Sequence, residues 1–240
     1  MASTIQTIPL LNLAIAFIPV VAVIIILHVW SLEPGTAVYA VFRMLVQLLL
    51  VGYLLTYIFG SDSSLLILLI LFIMIMVSAW ISLRPLKTKT RRLYLDMLLA
   101  IIFGGCSSLW LVTQFVLELK PWFLPQYMIP LAGMIFANAM NTVSLAAERY
   151  ESELTAGKTP DDARRIALHA AMIPTINALL AVGLVSLPGM MTGQILSGVS
   201  PLIAVRYQVM VMCMVFGSSG LSAACYLYLR NLSTRPETEN

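Results

Sequence analysis

Long apolar runs separated by short charged segments dominate this chain of 240 residues. Residues 1–32 carry no charged side chain, and long uncharged stretches recur as far as Arg230. Since a helix that spans a bilayer needs about 20 largely apolar residues, the pattern predicts an all-α polytopic membrane protein. We expect a single transmembrane domain over residues 1–240 with seven transmembrane helices. The predicted spans lie near residues 8–30, 39–60, 64–83, 95–117, 127–147, 172–188 and 203–229.

The composition excludes a water-soluble globular protein. Hydrophobic residues make up 60% of the chain, charged residues 10%, and the mean hydropathy is +0.93. A soluble domain carries roughly 25% charged residues. The three cysteines all fall in apolar segments, where small buried hydrophobes are expected, and they form no CxxC pair for a structural metal.

Lysine and arginine in short loops predict the orientation. Segment 84–92 carries five positive residues and no acid, so we expect it on the cytoplasmic side together with the polar segment 148–171. Counting spans outward then places the N-terminus outside and the C-terminus inside. The inside segments hold eleven Lys and Arg residues, whereas the outside loops hold one, Lys120. Asp62 is also expected outside.

Segment 148–171 contains a strong signal for the start of a helix. Thr159 can cap it, Pro160 suits the first helical position, and Asp161 and Asp162 face the positive end of the helix dipole. Gly157 permits a tight, left-handed turn before this segment, and we expect a short cytoplasmic amphipathic helix that leads through Pro174 into span six. Its apolar face would hold Ala163, Ile166, Ala167 and Ala170. A surface helix on lipid headgroups and a docking helix for a soluble partner both fit this pattern.

Gly157-Lys158-Thr159 imitates the end of a phosphate-binding loop. That loop needs another glycine five residues before Gly157, where this chain has Ser152, and it needs a buried strand before the glycines. A polar, helix-forming run precedes Gly157 instead. We therefore expect no nucleotide binding and no enzymatic activity from this chain, and no ATP hydrolysis by the purified chain alone.

The uncharged segment 188–201 is a poor lipid-facing helix because it contains three glycines and two prolines. We interpret it as a re-entrant or pore-lining element on the outer side, and an ordinary extracellular loop remains the alternative. Pro188, Gly189 and Gly193 are its predicted structural residues. Arg206 follows closely and is predicted to hold the element by bonding its carbonyls.

Polar side chains within apolar segments are the candidates for a translocation path, because such groups are costly in lipid and tend to face protein or water. Asn138 and Asn141 lie three residues apart on one helix face, where they either line a path or join helices through hydrogen bonds. Met190 and Met191 add thioethers, which suit Cu(I) better than Fe(II). No metal ligand set can be named. The path candidates are Gln47, Asn138, Asn141, Met190, Met191, Gln194 and Gln208.

Several motifs resemble one family of transporters. Glu151 and Gly157 have the six-residue spacing of the cytoplasmic "EAA" loop of ABC importers. The segment 130–140 resembles the "PxxGMIxxNAM" segment of the FetB-type iron-export ABC permeases, and the segment 183–201 matches their most distinctive block. Segment 204–208 follows as expected, and near the N-terminus Arg43 with residues 47–53 fits too. The chain is identified as a member of this family, which is related to plant aluminium-tolerance permeases.

The resemblance implies a permease subunit that works with a separate ATPase. Two permease copies and two ABC ATPase subunits would form a transporter in the bacterial inner membrane, with the lipid bilayer as surroundings and no nucleic acid partner. ATP would act through the partner, and this chain would bind no cofactor. The implied cargo is iron, moved outward, with a benefit under peroxide stress. The implied coupling residues are Glu151, Gly157, Thr159, Pro160, Arg164 and Arg165.

Three alternatives remain beside this interpretation. One is an ABC permease for an organic substrate such as a nucleotide sugar, which the lack of intramembrane carboxylates keeps open. Another is a stand-alone ion-coupled transporter, which would be expected to show intramembrane ionisable residues and often an internal repeat. A membrane enzyme would need an acid–base pair or a metal-ligand cluster in a loop.

Overall fold

The apolar runs fold as helices throughout the described chain. The computed structural model describes residues 8–60 and 63–234, with side chains as far as residue 232. Tertiary contacts divide the chain into two compact units, Met1–Ser61 and Asp62–Asn240, which we call unit one and unit two and describe separately. Asp62, which we predicted on the outer side of the membrane, is not among the described residues.

Residues 8–60 of unit one form three helices: α1 (Leu10–Ile15), α2 (Ile18–Val29) and α3 (Pro34–Ile58). Pro19 lies at the interruption of the first apolar run, because α1 ends before it and α2 begins beside it. In the first turn of a helix the missing N–H of proline breaks no internal hydrogen bond. Most side chains of α2 and α3 are exposed within unit one, so their apolar surface must meet lipid or other protein.

Unit two contains the remaining helices. They are α4 (Ser64–Ser82), α5 (Arg91–Ile101), α6 (Ser107–Leu111), α7 (Pro125–Thr155), α8 (Pro160–Ala181), α9 (Gly189–Leu196) and α10 (Pro201–Thr234). Two π-helical segments, Ile102–Cys106 and Val112–Val116, join α5 to α6 and extend α6, so that one helical span runs from Arg91 to Val116.

Contacts at the two ends of unit two fix the directions of its long helices. The Nδ2 of Asn231 donates a hydrogen bond to Oδ1 of Asp161 at 2.9 Å, which places the end of α10 beside the start of α8. At the other end, early residues of α7 and α10 surround a cavity with Met190 of α9. Hence α7 and α10 run parallel and α8 runs back between them. We call the first end the Gly157 end and the second the Met190 end.

Six helices in the described residues are long and apolar enough to cross a membrane: Leu10–Val29, Pro34–Ile58, Ser64–Ser82, Arg91–Val116, Pro125–Thr155 and Pro201–Leu232. The predicted span 172–188 is not among them and needs correction. The helix that carries it ends at Ala181, where Gly183 takes a φ of +82° and the chain turns. The N–H groups of Val185 and Ser186 both bond to the Ala181 carbonyl, at 2.8 and 3.1 Å.

The predicted short amphipathic helix is also corrected, because it is the first half of the continuous helix α8. Pro174 lies inside α8, so the carbonyl of Ala170 lacks its usual helical donor. The helix continues through the proline because α8 packs against α7 and α10 on both sides of it. Its buried stripe is Ala163, Ala167 and Ala171, so the alanine face contacts this chain itself.

Small residues let the helices approach closely in the middle of unit two. A Cβ on Gly104 would lie 2.5 Å from the backbone nitrogen of Ser222 and 2.9 Å from the carbonyl oxygen of Ser218. Close approach through glycine and serine is typical of helix packing in membranes. The hydroxyl of Ser144 also bonds to the carbonyl of Ser82 at 3.0 Å, which joins α7 to α4.

Candidate functional site

The turn around Gly157 joins the two helices α7 and α8 at one end of unit two. The N–H of Gly157 bonds to the Leu154 carbonyl at 3.0 Å, and the N–H of Lys158 bonds to the Glu153 carbonyl at 3.1 Å. These two bonds form a Schellman motif, which needs a left-handed residue after the helix. Gly157 supplies it with a φ of +82°. The predicted left-handed turn is therefore confirmed.

Thr159 caps helix α8 as predicted. Its Oγ1 accepts a hydrogen bond from the N–H of Asp162 at 3.2 Å and donates one to the Asp162 carboxylate at 2.8 Å. Pro160 occupies the first helical position, where proline breaks no helical bond. Gly157, Thr159 and Pro160 thus form one compact and exposed connection between two long helices.

A groove of about 380 Å³ lies beside this connection, between the end of α7 and the loop that follows α4. Glu151 and Glu148 form part of its α7 wall, and Lys87 lies on the loop. The structure therefore brings the basic segment 84–92 and the segment 148–171 to the same end of unit two. The residues that line the groove are Pro85, Leu86, Lys87, Glu148, Glu151, Ser152, Thr155 and Ala156.

Arg164 and Arg165 lie on the first turns of α8. Arg164 pairs with Asp161 at 3.4 Å, and Arg165 is exposed. The end of α7 has an ion pair of its own, between Arg149 and Glu153 at 2.6 Å. All six predicted coupling residues therefore lie at the Gly157 end, where charged side chains surround the turn.

A second groove lies farther along α7 and contains both predicted asparagines. About 120 Å³ in volume, it is lined by Asn138, Asn141 and Thr142 of α7, with Leu145, Ala171, Pro174, Thr175, Ala178 and Val215. The Nδ2 of Asn138 donates to the Met134 carbonyl at 2.8 Å, which leaves the amide oxygen as an acceptor. Asn141 is exposed. We call this the amide groove.

Two glutamine path candidates lie away from the amide groove. Gln208 of α10 is 5% exposed, and Gln194 of α9 is half-buried. The Oε1 atom of each is buried and has no hydrogen-bond partner among the described residues. A buried amide oxygen without a partner costs about 1–3 kcal/mol. Both positions are therefore candidates for contact with water or cargo.

Segment 188–201 forms the short helix α9, which packs on α10. Pro188 precedes the helix, and its carbonyl accepts the Thr192 N–H at 3.0 Å. The carbonyl of Gly193 accepts the Ser197 N–H at 3.0 Å. Gly189 is the first helical residue. Met190 and Met191 are half-buried on α9, and Arg206 is exposed on α10 with no hydrogen bond to the described part of the segment.

Most of the chain also matches known proteins in sequence. The family described as "Uncharacterised protein family (UPF0014)" matches residues 10–233. The chain belongs to the UPF0014 family. It is 35% identical over 237 residues to the "Probable iron export permease protein FetB" of Escherichia coli K12, covering 91% of this chain and 90% of that protein.

Two further relatives extend the comparison. The UPF0014 membrane protein slr1647 of Synechocystis is 36% identical over 203 residues, which cover 78% of each chain. The protein ALUMINUM SENSITIVE 3 of Arabidopsis thaliana is 33% identical over 214 residues, which cover 83% of this chain and 77% of that protein. No solved structure matches the chain. This UPF0014 member is thus a membrane permease homologue.

The blocks that carry the resemblance to the FetB-type permeases lie in different parts of unit two. Segment 130–140 forms the first half of α7 and supplies Asn138 to the amide groove. Segment 183–201 contains α9 and supplies Met190 to the Met190 end. Gln47 lies on α3 in unit one, where it is exposed.

The structure adds charged residues that the sequence analysis missed. Arg230 lies within electrostatic range of the carboxylates of Asp96 and Glu151. Beside it, Asn231 is buried and donates its hydrogen bond to Asp161. In the sequence, Arg230 could be noticed only because it is a single basic residue near the end of the last apolar run. Asp96 and Glu151 lie on α5 and α7, two helices that are distant from Arg230 in sequence.

Proposed function

We propose that this UPF0014 protein is the membrane-spanning permease subunit of an ABC transporter that exports iron, with energy from a separate ATPase subunit. Its relative in Escherichia coli is named a probable iron export permease and aligns with 91% of this chain. That similarity supports the cargo and the direction of transport. The residues themselves support the coupling to a partner.

The observation that carries the proposal is the connection at Gly157. A Schellman turn followed directly by a capped helix gives an exposed connection a defined shape, which a binding partner can recognise. Both helices that it joins run through unit two and contact α10. A force applied to the turn would therefore reach the amide groove through α7 and α8.

The transporter would hold two copies of this permease and two ATPase subunits, as in the family that it resembles. ATP would bind to the partner, and this chain would bind no cofactor. Its surroundings would be the bilayer of the bacterial inner membrane, and the apolar exposed surfaces of α2, α3 and α10 support a location in a lipid bilayer.

We propose seven membrane crossings for the chain, because the helix directions in unit two require one crossing in addition to the six apolar helices. Helix α7 ends at the Gly157 end, and α10 begins at the Met190 end and returns, so the chain must cross between them. Helix α8 has 22 residues and is about 33 Å long at 1.5 Å per residue, and we propose that its uncharged part, residues 170–181, makes this crossing together with the residues that follow it. The positive-inside rule then places the Gly157 end in the cytoplasm, the N-terminus outside and the C-terminus inside.

Cysteine labelling tests this orientation. Single cysteines at positions 87, 158 and 120 in a chain without native cysteines would be treated with an impermeant maleimide in intact spheroplasts. We expect labelling at 120 only, because Lys120 belongs to the turn before α7 at the Met190 end. Labelling at 87 or 158 before lysis would overturn the proposed orientation.

The amide groove is the proposed segment of the iron path. Asn138 and Asn141 line it, and Pro174, another lining residue, leaves the Ala170 carbonyl without its helical donor. Oxygen ligands of this kind suit a partly hydrated metal cation better than thioethers do. Gln194 and Gln208 continue the proposed path with their unpartnered amide oxygens.

An organic cargo such as a nucleotide sugar is the alternative that the amides support, since they can donate and accept hydrogen bonds. The groove volume of about 120 Å³ argues for the smaller cargo. Sites for drug-sized ligands occupy roughly 300–1,000 Å³. The iron proposal is therefore the stronger one.

Reconstitution tests the function directly. The permease would be co-expressed with a candidate ABC ATPase from the same organism and inserted into liposomes that contain an iron-quenched fluorophore. In vesicles whose ATPase subunits face outward, ATP should drive Fe²⁺ into the lumen. The permease without the ATPase should neither transport iron nor hydrolyse ATP. ATP-driven uptake of a nucleotide sugar without iron would favour the alternative. Transport driven by an ion gradient without an ATPase would overturn the ABC assignment.

A further inference from the structure

A small cavity at the Met190 end is lined by methionines from three different helices. Its volume is about 40 Å³, and Met134 of α7, Met190 of α9 and Met210 of α10 all reach it. Methionine supplies 14 of the 240 residues in the chain but three of the nine that line this cavity. The other lining residues are Leu117, Gln126, Tyr127, Pro130, Leu131 and Tyr207.

A second feature of the same cavity is a backbone carbonyl released by proline. Pro130 lies inside α7 and has no N–H, so the carbonyl of Gln126 lacks its usual helical donor. Gln126 and Pro130 both line the cavity. Three methionine side chains and the residue whose carbonyl Pro130 frees from the helix ladder therefore line one space, and none of the nine lining residues is charged.

The size and chemistry of the cavity select the kind of ligand. One water needs roughly 10–15 Å³ of such space, so the cavity of about 40 Å³ can hold an ion but is far below the roughly 300–1,000 Å³ of sites for drug-sized ligands. Thioethers are neutral, soft ligands and prefer Cu(I) to divalent iron. A neutral lining also favours a monovalent ion, because the cost of burying an ion in a low-dielectric site rises with its charge.

We infer that Met134, Met190 and Met210 form a binding site for one Cu(I) ion at the Met190 end of unit two. The site joins α9 to the two long helices α7 and α10, and it is separate from the amide groove proposed for iron. Its existence does not depend on the ABC partner or on iron transport, so the two proposals can fail independently.

Competition with a Cu(I) chelator tests the site on the purified full-length chain. Cys106, Cys213 and Cys225 would be replaced by alanine to remove thiols, and the reduced protein in detergent would compete with bicinchoninate for Cu(I). We expect one Cu(I) per chain, with about three sulfur neighbours in copper-edge X-ray absorption. Each of Met134→Leu, Met190→Leu and Met210→Leu should weaken binding at least tenfold.

Leucine is the suitable replacement because a Met-to-Leu exchange nearly conserves volume and usually preserves packing. Met172→Leu and Met214→Leu are matched controls, since both side chains are buried in unit two but do not line the cavity. The control variants should bind Cu(I) like the parent. Failure of the parent to bind Cu(I), or unchanged binding in all three site variants, would overturn the proposal, as would equal losses in the controls.

Discussion

Gly104 and Gly157 lie in two contrasting regions of unit two. Gly104 is buried where the first π-helical segment meets α10, and a Cβ there would collide with Ser222 and Ser218. Gly157 lies on an exposed turn, and a Cβ there would meet nothing within 4 Å. The backbone at Gly157 nevertheless has a φ of +82°, whereas Gly104 is helical.

The same residue type therefore meets two different physical needs. At Gly104 the missing side chain provides space for a neighbouring helix, which is a requirement of packing. At Gly157 it permits a left-handed conformation, which costs an ordinary L-residue about 1–2 kcal/mol. A change at the first position should damage the fold, and a change at the second should damage the shape of a surface that we propose to bind a partner.

Gly104→Ala is expected to have the largest effect on stability. The added methyl group would lie 2.5 Å from the backbone nitrogen of Ser222, and backbone atoms cannot move aside as a flexible side chain can. Overpacking that forces the backbone to shift typically costs about 1–3 kcal/mol and occasionally more, and we expect a value at the upper end here. The measurement is the fraction of monodisperse protein that survives heating in detergent.

Gly133→Ala is the matched control for that change. Gly133 is also helical, but its Cβ would meet only the Cε of Met74 at 3.7 Å, an ordinary contact. It should therefore leave thermal survival close to that of the parent. Equal survival of the Gly104 and Gly133 variants would show that the approach of α10 is looser than the distances indicate.

The turn and the packed region also differ in how far the sequence could predict them. Thr159, Pro160 and the left-handed glycine act within a few residues of one another, so local rules predicted the cap and the turn. The contact between Gly104 and Ser222 joins distant segments, and nothing in either apolar run identifies its neighbour. The same reason explains why the partners of Arg230 were missed.

The sixth predicted span shows where local rules were misleading. Proline inside an apolar run usually indicates the end of a helix or a kink, and Pro174 was interpreted as the junction between a short helix and a span. Packing of the alanine stripe at 163, 167 and 171 keeps α8 continuous instead. The true end comes at Ala181, two residues before the left-handed Gly183.

Gly157→Val should have the next largest effect, and it should act on assembly with the ATPase. A β-branched residue at a φ of +82° is strained by at least the 1–2 kcal/mol of an ordinary residue, so the turn should change shape. No apolar span changes, so membrane insertion and monodispersity should be preserved. We expect reduced co-purification of the ATPase or ATP hydrolysis that no longer drives iron export.

Gly157→Asn separates conformation from side-chain size in this experiment. Asparagine tolerates the left-handed region far better than valine, and the space around Gly157 is open. It should therefore retain most assembly and export. If the valine variant inserts, binds the ATPase and exports as well as the parent, the turn is only a surface connection and its proposed coupling role is wrong.

Thr159→Ala is expected to have the smallest effect of the three. It removes the oxygen that accepts the Asp162 N–H at 3.2 Å, and loss of such a cap costs about 1 kcal/mol. Thr159→Ser keeps that oxygen and is the matched control. Because the buried alanine stripe holds α8 against α7 and α10, we expect the loss to loosen only the first turn. Hydrogen exchange measured by mass spectrometry should therefore rise about fivefold at Asp162 and Ala163 of the alanine variant and remain unchanged near Thr175. A uniform rise along α8 would mean that the cap stabilises the whole helix and that the turn and the packed region are one cooperative unit.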